Sequence, residues 1–302
     1  MAFGCHIPYA LNYDETATDG CPPGEFTYPG TNLTFEYPVG TLFCCNFNNC
    51  QHFEFNRNSN SYNEFGINDE IEWDEIEDDC DEPNAIELDI ESIEHKNNYI
   101  NQKLNNRSGD IGTHYSIPLA FYDVYQESDD PDDWNTTSFC QNLGSDDACN
   151  CKMYHVTQIL SEQFLPGKMT FYRACKNSDG TILSEEECNK GVGETLPIYD
   201  VPNERIYGNR NNSVNHTKGG WTDFGYESNV INVYLAEMFF GSTVKGFAQR
   251  GWYGDHRHRG IAVRHSAFFP NEAFIGDNWG TTGHELGHTF DGNHLTPGSE
   301  DS

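Results

Sequence analysis

Two histidines and a glutamate near the end of the chain have the spacing of a metal site. His284 and His288 are four residues apart, and Glu285 directly follows the first of them. In a helix, residues four apart lie on one face, so both imidazoles face one point and Glu285 leans over it. Imidazole nitrogens are preferred ligands of Zn²⁺. The alternative is a chance pattern, with two histidines that are packed or solvated on an amphipathic helix.

A third candidate ligand is His294, six residues after His288. If the helix ends at the Asp291–Gly292 turn, the chain reverses and brings this imidazole to the other two, which leaves a fourth tetrahedral position for water. An open position is typical of catalytic zinc, which lowers the pKa of a bound water to about 7. Glu285 is placed to take the proton as the water attacks a carbonyl. The sequence therefore predicts a catalytic centre for one zinc ion.

The residues before this motif predict the elements that position it. Apolar residues from Met153 to Phe164 recur at helical spacing and stop at Pro166-Gly167. Residues 126–150 are expected to form a polar loop. A strand, a helix, several strands and a final helix predict an α+β domain with a mixed sheet. The segments with the composition of strands are 115–125, 168–174, 231–235, 244–249 and 260–264.

The charge of the chain limits the class of protein. The 302 residues carry a formal net charge of -31, which repels nucleic acid and anionic membranes and excludes both as expected partners. Acidic clusters such as residues 129–133 are possible Ca²⁺ ligands, but no calcium-loop spacing is present, so solubility is the preferred explanation. No apolar segment reaches the length of a membrane span.

Eleven cysteines predict disulfides, because their spacing lacks the paired pattern of structural zinc sites. Cys175 and Cys188 flank a predicted turn and are expected to pair with each other. The odd count leaves one thiol, which either pairs outside this chain or ligates zinc and keeps an enzyme latent. No signal peptide is visible, so we expect the chain to be cut from a longer, secreted precursor. Five glycosylation sequons agree with secretion: Asn32, Asn106, Asn135, Asn211 and Asn215.

The composition divides the chain near residue 110. Residues 1–110 are a Cys-rich, acidic region, either ancillary or a pro-segment, and short disulfide-linked strands are expected up to about residue 80. Residues 111–302 form the predicted catalytic domain. His52 and His95 are expected to be surface residues rather than ligands, and His265 is expected to have a structural role.

The order of elements and the final motif together resemble a metzincin zinc endopeptidase, most closely the pappalysin-like branch. The likeness covers roughly residues 114–294. It rests on the segments Ile117-Pro118-Leu119, Leu160-Ser161-Glu162-Gln163-Phe164 at the end of a helix, Asn232-Val233-Tyr234-Leu235, Gly246-Phe247-Ala248, Gly260-Ile261-Ala262-Val263 and Gly283-His284-Glu285-Leu286-Gly287-His288. It implies a twisted mixed sheet with a backing helix and a zinc-binding active-site helix. The implied zinc ligands are His284, His288 and His294, with Glu285 as general base and acid. The implied substrate strand, which pairs with an extended peptide at the sheet edge, is Lys245, Gly246, Phe247, Ala248 and Gln249.

The chain departs from the family pattern at two points. Asp291 stands where the family has a turn glycine, and Asp tolerates a positive φ better than most residues. The family continues to a methionine turn beneath the metal, yet all four methionines precede the motif: Met1, Met153, Met169 and Met238. We therefore expect a truncated catalytic domain that lacks its C-terminal subdomain.

The leading hypothesis is a secreted zinc endopeptidase that hydrolyses a peptide or protein substrate through a zinc-bound water activated by Glu285. The alternative is a catalytically inactive metzincin-like extracellular binding module. An intact Glu285 favours the enzyme. A non-peptidase zinc hydrolase is less favoured, because an exposed edge strand suits a peptide.

Overall fold

The computed structural model describes residues 2–28, 31–47, 113–125, 138–202, 225–236, 246–248, 260–265, 268 and 281–290. The helices are α1 (Phe139–Asn142), α2 (Asp146–Phe164), α3 (Glu185–Asn189) and α4 (Thr281–Thr289), and a 3-10 turn (Leu165–Gly167) follows α2. The strands are β1 (Gly24–Thr27), β2 (Thr34–Tyr37), β3 (Tyr115–Tyr125), β4 (Met169–Arg173), β5 (Cys175–Lys176), β6 (Glu194–Thr195), β7 (Tyr199–Pro202), β8 (Ile231–Ala236), β9 (Gly246–Ala248) and β10 (Ile261–Arg264).

Strand β3 belongs to a six-stranded sheet with the order β4-β3-β8-β10-β9, and β7 also pairs with β3. β3 runs parallel to β4, β7 and β8, and β10 runs parallel to β8. β9 is antiparallel to β10. Residues 119–125 are buried without interruption, as expected for a parallel strand that is covered on both faces. The predicted mixed sheet is confirmed.

Helices α2 and α4 cover one face of this sheet. The core between them joins Leu160 of α2 and Leu286 of α4 to Phe121 and Leu235 of the sheet. The opposite face is covered by the segments that follow β4 and precede β8. On that face the ring of Tyr122 stacks with Tyr199 and Tyr234, at centroid distances of 4.7 and 4.8 Å. The sheet therefore lies between two hydrophobic cores of the described residues, with α2 and α4 on the same side.

Helix α2 begins earlier than the apolar pattern indicates. Ser145 is its N-cap and accepts a hydrogen bond from the Ala148 N–H, which satisfies one free amide of the first turn. The Cys140–Cys149 disulfide ties that turn to α1. The prediction of a polar loop over residues 126–150 is therefore wrong for residues 138–150, which contain α1 and the start of α2. Polar first turns carry no apolar period, so the sequence pattern did not show them.

Glu185, the first residue of α3, is buried and joins that helix to the sheet. Its Oε2 accepts hydrogen bonds from the hydroxyls of Ser116 (2.7 Å) and Thr170 (2.6 Å). Burial raises the pKa of Glu185 to about 7, although the two hydroxyl hydrogen bonds act in the opposite direction. The Cys175–Cys188 disulfide, which the sequence predicted, holds the other end of α3.

Residues 2–28 and 31–47 form a small unit, here called the N-terminal module. β1 and β2 form an antiparallel hairpin in which Phe26 lies opposite Phe35. Two disulfides, Cys5–Cys45 and Cys21–Cys44, close the unit. The module shares a hydrophobic core with Cys151 and Tyr154 of α2. The expected disulfide-linked strands are confirmed here, whereas residues 48–112, with His52 and His95, lie outside the described residues.

The nine cysteines of the described residues are all in disulfides. Cys50 and Cys80 lie outside those residues, so the expected odd thiol stays a prediction, as does the domain boundary near residue 110. Disulfides in this number are typical of proteins from oxidising compartments. Among the described helices, none is both long and apolar enough to cross a membrane.

Candidate metal centre

Helix α4 brings His284 and His288 together. Their Nε2 atoms lie 3.1 Å apart. The two rings are nearly perpendicular, at 88°, and their centroids are 4.6 Å apart. Leu286, on the opposite side of the helix, is fully buried in the core against the sheet. Burial of Leu286 therefore decides which face of α4 carries the two imidazoles.

The separation of the two imidazoles fits one zinc ion. Two nitrogens that bind a tetrahedral zinc at about 2.0–2.1 Å lie about 3.3 Å from each other. The 3.1 Å between the Nε2 atoms of His284 and His288 is close to that value. A direct N–H···N hydrogen bond between two neutral rings gives a similar distance. The geometry therefore fits the predicted ligands, and their role as ligands stays a prediction.

Glu285 is buried between α4 and β9. Only 2% of the residue is exposed, and burial raises the pKa of its carboxyl to about 8. A Cβ built on Gly246 would lie 2.8 Å from both Oε1 and Cγ of Glu285, and 2.7 Å from Cγ2 of Thr281. Because real Cβ atoms do not come so close, glycine at position 246 is what allows Glu285 to lie there. A glycine inside a strand often marks such a close approach, a signal that the substrate-strand interpretation did not use.

Helix α4 also approaches α2 closely, at Gly283. A Cβ built there would lie 2.6 Å from Oε1 of Gln163 and 3.9 Å from Cδ2 of Leu160. Oε1 of Gln163 is buried and has no hydrogen-bond partner among the described residues. The sequence interpretation gave neither Gly283 nor Gln163 a role at the site, because no local pattern relates residues so far apart in the chain.

Part of the predicted substrate strand is present as β9. In the described sheet β9 is the terminal strand, in agreement with the expected sheet edge. α4 ends at Thr289, so the turn expected at Asp291–Gly292 lies beyond the described helix. The remaining roles stay predictions. Of the predicted site residues, Gly246, Phe247 and Ala248 form β9, whereas Lys245, Gln249 and His294 lie outside the described residues.

Other groups of possible ligands do not form a second metal site in the described structure. The sulfurs of Cys21, Cys44 and Cys45 lie within 4.8 Å of one another. All three are in disulfides and therefore offer no thiolate. The acidic residues 129–133 lie outside the described residues, and Ca²⁺ binding remains without support.

His265 is buried at the end of β10, and its contacts are structural. Its Nε2 lies 3.3 Å from Oδ1 of Asp123 in β3. The same carboxylate accepts hydrogen bonds from the backbone N–H groups of Phe139 (2.9 Å) and Cys140 (2.8 Å) at the start of α1. The Asp123–His265 pair therefore joins β3, β10 and α1, which agrees with the structural role expected for His265.

Comparison with known proteins finds weak similarity to solved structures. No family model matches the chain, and no curated protein matches it. Among solved structures, a promirolysin mutant of Tannerella forsythia is 16% identical, with a TM-score of 0.41 over 68% of this chain and 64% of that one. Mature mirolysin of Tannerella forsythia, in complex with a cleaved peptide, is 15% identical, with a TM-score of 0.35 over 60% of this chain and 64% of that one. This chain therefore spans 64% of the length of each of these proteins.

Proposed function

We propose that this chain is a secreted, zinc-dependent endopeptidase. The observation that carries the proposal is the 3.1 Å separation between the Nε2 atoms of His284 and His288, on the same helix as the buried Glu285. His294 is the proposed third ligand. The resemblance of the motif to metzincins, with the pappalysin-like branch as the nearest, supports the same ligands. The disulfides support a secretory route.

The proposed reaction uses the chain's own residues as ligands, base and acid. Zinc held by the histidines would polarise the scissile carbonyl and lower the pKa of the attacking water. Glu285 would accept a proton from this water as the new C–O bond forms, and would pass it to the amide nitrogen as the C–N bond breaks. The products are a carboxylate and an amine. The close contact with Gly246 would restrict where the Glu285 carboxylate can lie.

The position of β9 supports a peptide or protein as the substrate. One edge of β9 pairs with β10, and no described strand pairs with its other edge. An extended peptide added at such an edge gains main-chain hydrogen bonds. Because Gly246 of β9 lies against Glu285, a peptide along β9 would pass close to the proposed general base.

Metal analysis combined with peptide cleavage by the full chain tests the proposal. We expect one zinc ion per chain and cleavage of a peptide library that stops when a chelator removes the metal. Glu285→Gln should keep the zinc and slow cleavage by at least about 10²-fold, because the proton acceptor is lost. His288→Ala should lose the zinc. His6→Ala, which removes a histidine of the N-terminal module, is the matched control and should change neither property.

The outcomes separate the hypotheses. Zinc without cleavage in the wild-type chain would favour the inactive binding module. A wild-type chain without zinc, or a His288→Ala variant that binds zinc as tightly as the wild type, would contradict the metal site itself.

A further inference from the structure

Tyr28 of the N-terminal module contacts the carboxyl end of α2. The hydroxyl of Tyr28 donates to the backbone carbonyl of Glu162, and it also lies 3.2 Å from the carbonyl oxygen of Gln163. The last four carbonyls of an α-helix have no partner within the helix. Tyr28 therefore satisfies backbone groups that α2 cannot satisfy alone. Burial, and secondarily the charge of Glu162, raise the pKa of Tyr28, so its hydroxyl keeps the proton that it donates.

Aromatic neighbours hold the ring of Tyr28 in place. The ring packs edge-on against Phe26, at a centroid distance of 5.4 Å, and against Phe35, at 5.7 Å. Such edge-to-face pairs favour a defined ring orientation. The hairpin formed by β1 and β2 therefore presents the Tyr28 hydroxyl to α2 from a fixed position.

Gln163 connects this contact to the helix of the candidate metal centre. Its backbone carbonyl faces Tyr28, and its side-chain Oε1 lies where a Cβ on Gly283 would be only 2.6 Å away. Gly283 directly precedes His284. Interiors are close-packed, so a shift of the last turn of α2 would be transmitted to α4 at this point.

We propose that Tyr28 is a positioning residue: the N-terminal module fixes the last turn of α2 and, through Gln163, the position of α4 with His284, Glu285 and His288. The effect of Tyr28 on catalysis rests on the proposed function. The effect of Tyr28 on the position of α4 does not. The module is accordingly part of what holds α4 in place.

Further contacts between the module and the rest of the chain agree with this assignment. The Asn189 side-chain N–H of α3 donates to the carbonyl of Gly40, at 2.5 Å. Tyr154 of α2 lies in the hydrophobic core of the module, where its ring is parallel to that of Phe47 at a centroid distance of 6.1 Å. The module therefore contacts α2 at more than one position and also contacts α3.

Tyr28→Phe in the full chain tests the proposal, because it removes one hydroxyl and keeps the ring. Tyr37→Phe is the matched control: it removes a hydroxyl from the same hairpin, where the Tyr37 ring stacks on Phe43 at 4.4 Å. The first measurement is hydrogen exchange of the metal-free chain, followed by mass spectrometry of peptides from α4 and from β3. We expect exchange in α4 to rise about three- to tenfold in Tyr28→Phe, the size of one lost hydrogen bond, with β3 unchanged.

The second measurement is the affinity for Co²⁺, a spectroscopic substitute for zinc, together with kcat and KM for a cleaved peptide. Tyr28→Phe should weaken Co²⁺ binding and lower kcat more than it raises KM, and Tyr37→Phe should match the wild type. Unchanged exchange in α4, an equal rise in all peptides, or higher activity in Tyr28→Phe would each overturn the positioning role. Should the wild-type chain bind no metal while the local exchange effect persists, the proposed function fails and the positioning of α4 stands.

Discussion

Gly246→Ala should displace the Glu285 side chain and lower kcat without changing the affinity for zinc. The added methyl group would lie 2.8 Å from Oε1 and Cγ of Glu285 and 2.7 Å from Cγ2 of Thr281. Ordinary van der Waals contact begins at 3.4 Å, so the Glu285 side chain must move by about 0.6 Å, the difference between 3.4 and 2.8 Å. The substitution is therefore a small and directed displacement of the proposed general base.

The expected loss of activity follows from that displacement. A misplacement of 1 Å at a reacting group costs on the order of 10²-fold in rate, so a shift of about 0.6 Å should lower kcat about 10- to 100-fold. The atoms nearest to the added methyl group belong to Thr281 and Glu285 and not to the two histidines. The dissociation constant for zinc should therefore stay close to that of the wild type.

Steady-state cleavage of one peptide gives kcat and KM, and competition with a chromophoric chelator gives the zinc dissociation constant. Gly287→Ala is the control, because a Cβ built there has no described atom within 4 Å apart from its two chain neighbours and the backbone of its own helix. This control should keep kcat and gain about 1 kcal/mol of helix stability. Thr281→Ser added to Gly246→Ala removes only the contact with Cγ2, so it should not restore kcat.

Three results would refute this reasoning. Wild-type kcat in Gly246→Ala, or recovery of kcat on adding Thr281→Ser, would show that the contact with Glu285 does not hold the carboxylate. Equal losses of zinc affinity and kcat would show that α4 as a whole had moved, and the separation of base from metal would be wrong.

Two further predictions concern stability. Glu185 has a pKa of about 7 in the folded chain, against an ordinary value of 4.5. Between these two pH values the folded chain therefore binds more protons than the unfolded chain. The free energy of unfolding should accordingly fall by about 3 kcal/mol as the pH rises through this range. The melting temperatures at pH 5 and pH 8 should therefore differ less in Glu185→Gln than in the wild type. An unchanged difference would contradict the raised pKa of Glu185. Replacement of both Cys175 and Cys188 by Ala opens a loop with a sequence separation of 13 and should cost about 3 kcal/mol in urea denaturation. An unchanged urea midpoint would show that this loop is held by other contacts.

The sequence by itself determined the features that depend on local spacing. Four residues are about one helical turn, so the spacing of His284 and His288 was enough to predict adjacent imidazoles. Their Nε2 atoms lie 3.1 Å apart in the structure. The strands at 115–125 and 231–235 were visible as apolar runs, and the Cys175–Cys188 pair as two cysteines around a turn. In each case the residues that interact, or the pattern that defines the element, lie within a short stretch of chain.

Only the tertiary structure decided what lies across from these elements. In the structure β3 pairs with β4 and β8, Glu285 packs against Gly246, and the Tyr28 hydroxyl donates a hydrogen bond to the last turn of α2. These partners are separated by tens to more than a hundred residues, and no repeat in the sequence relates them. Helix and strand periods fix which side chains share a face, because the backbone geometry is local. The contact that a face makes depends instead on which packing of the whole chain buries its apolar surface.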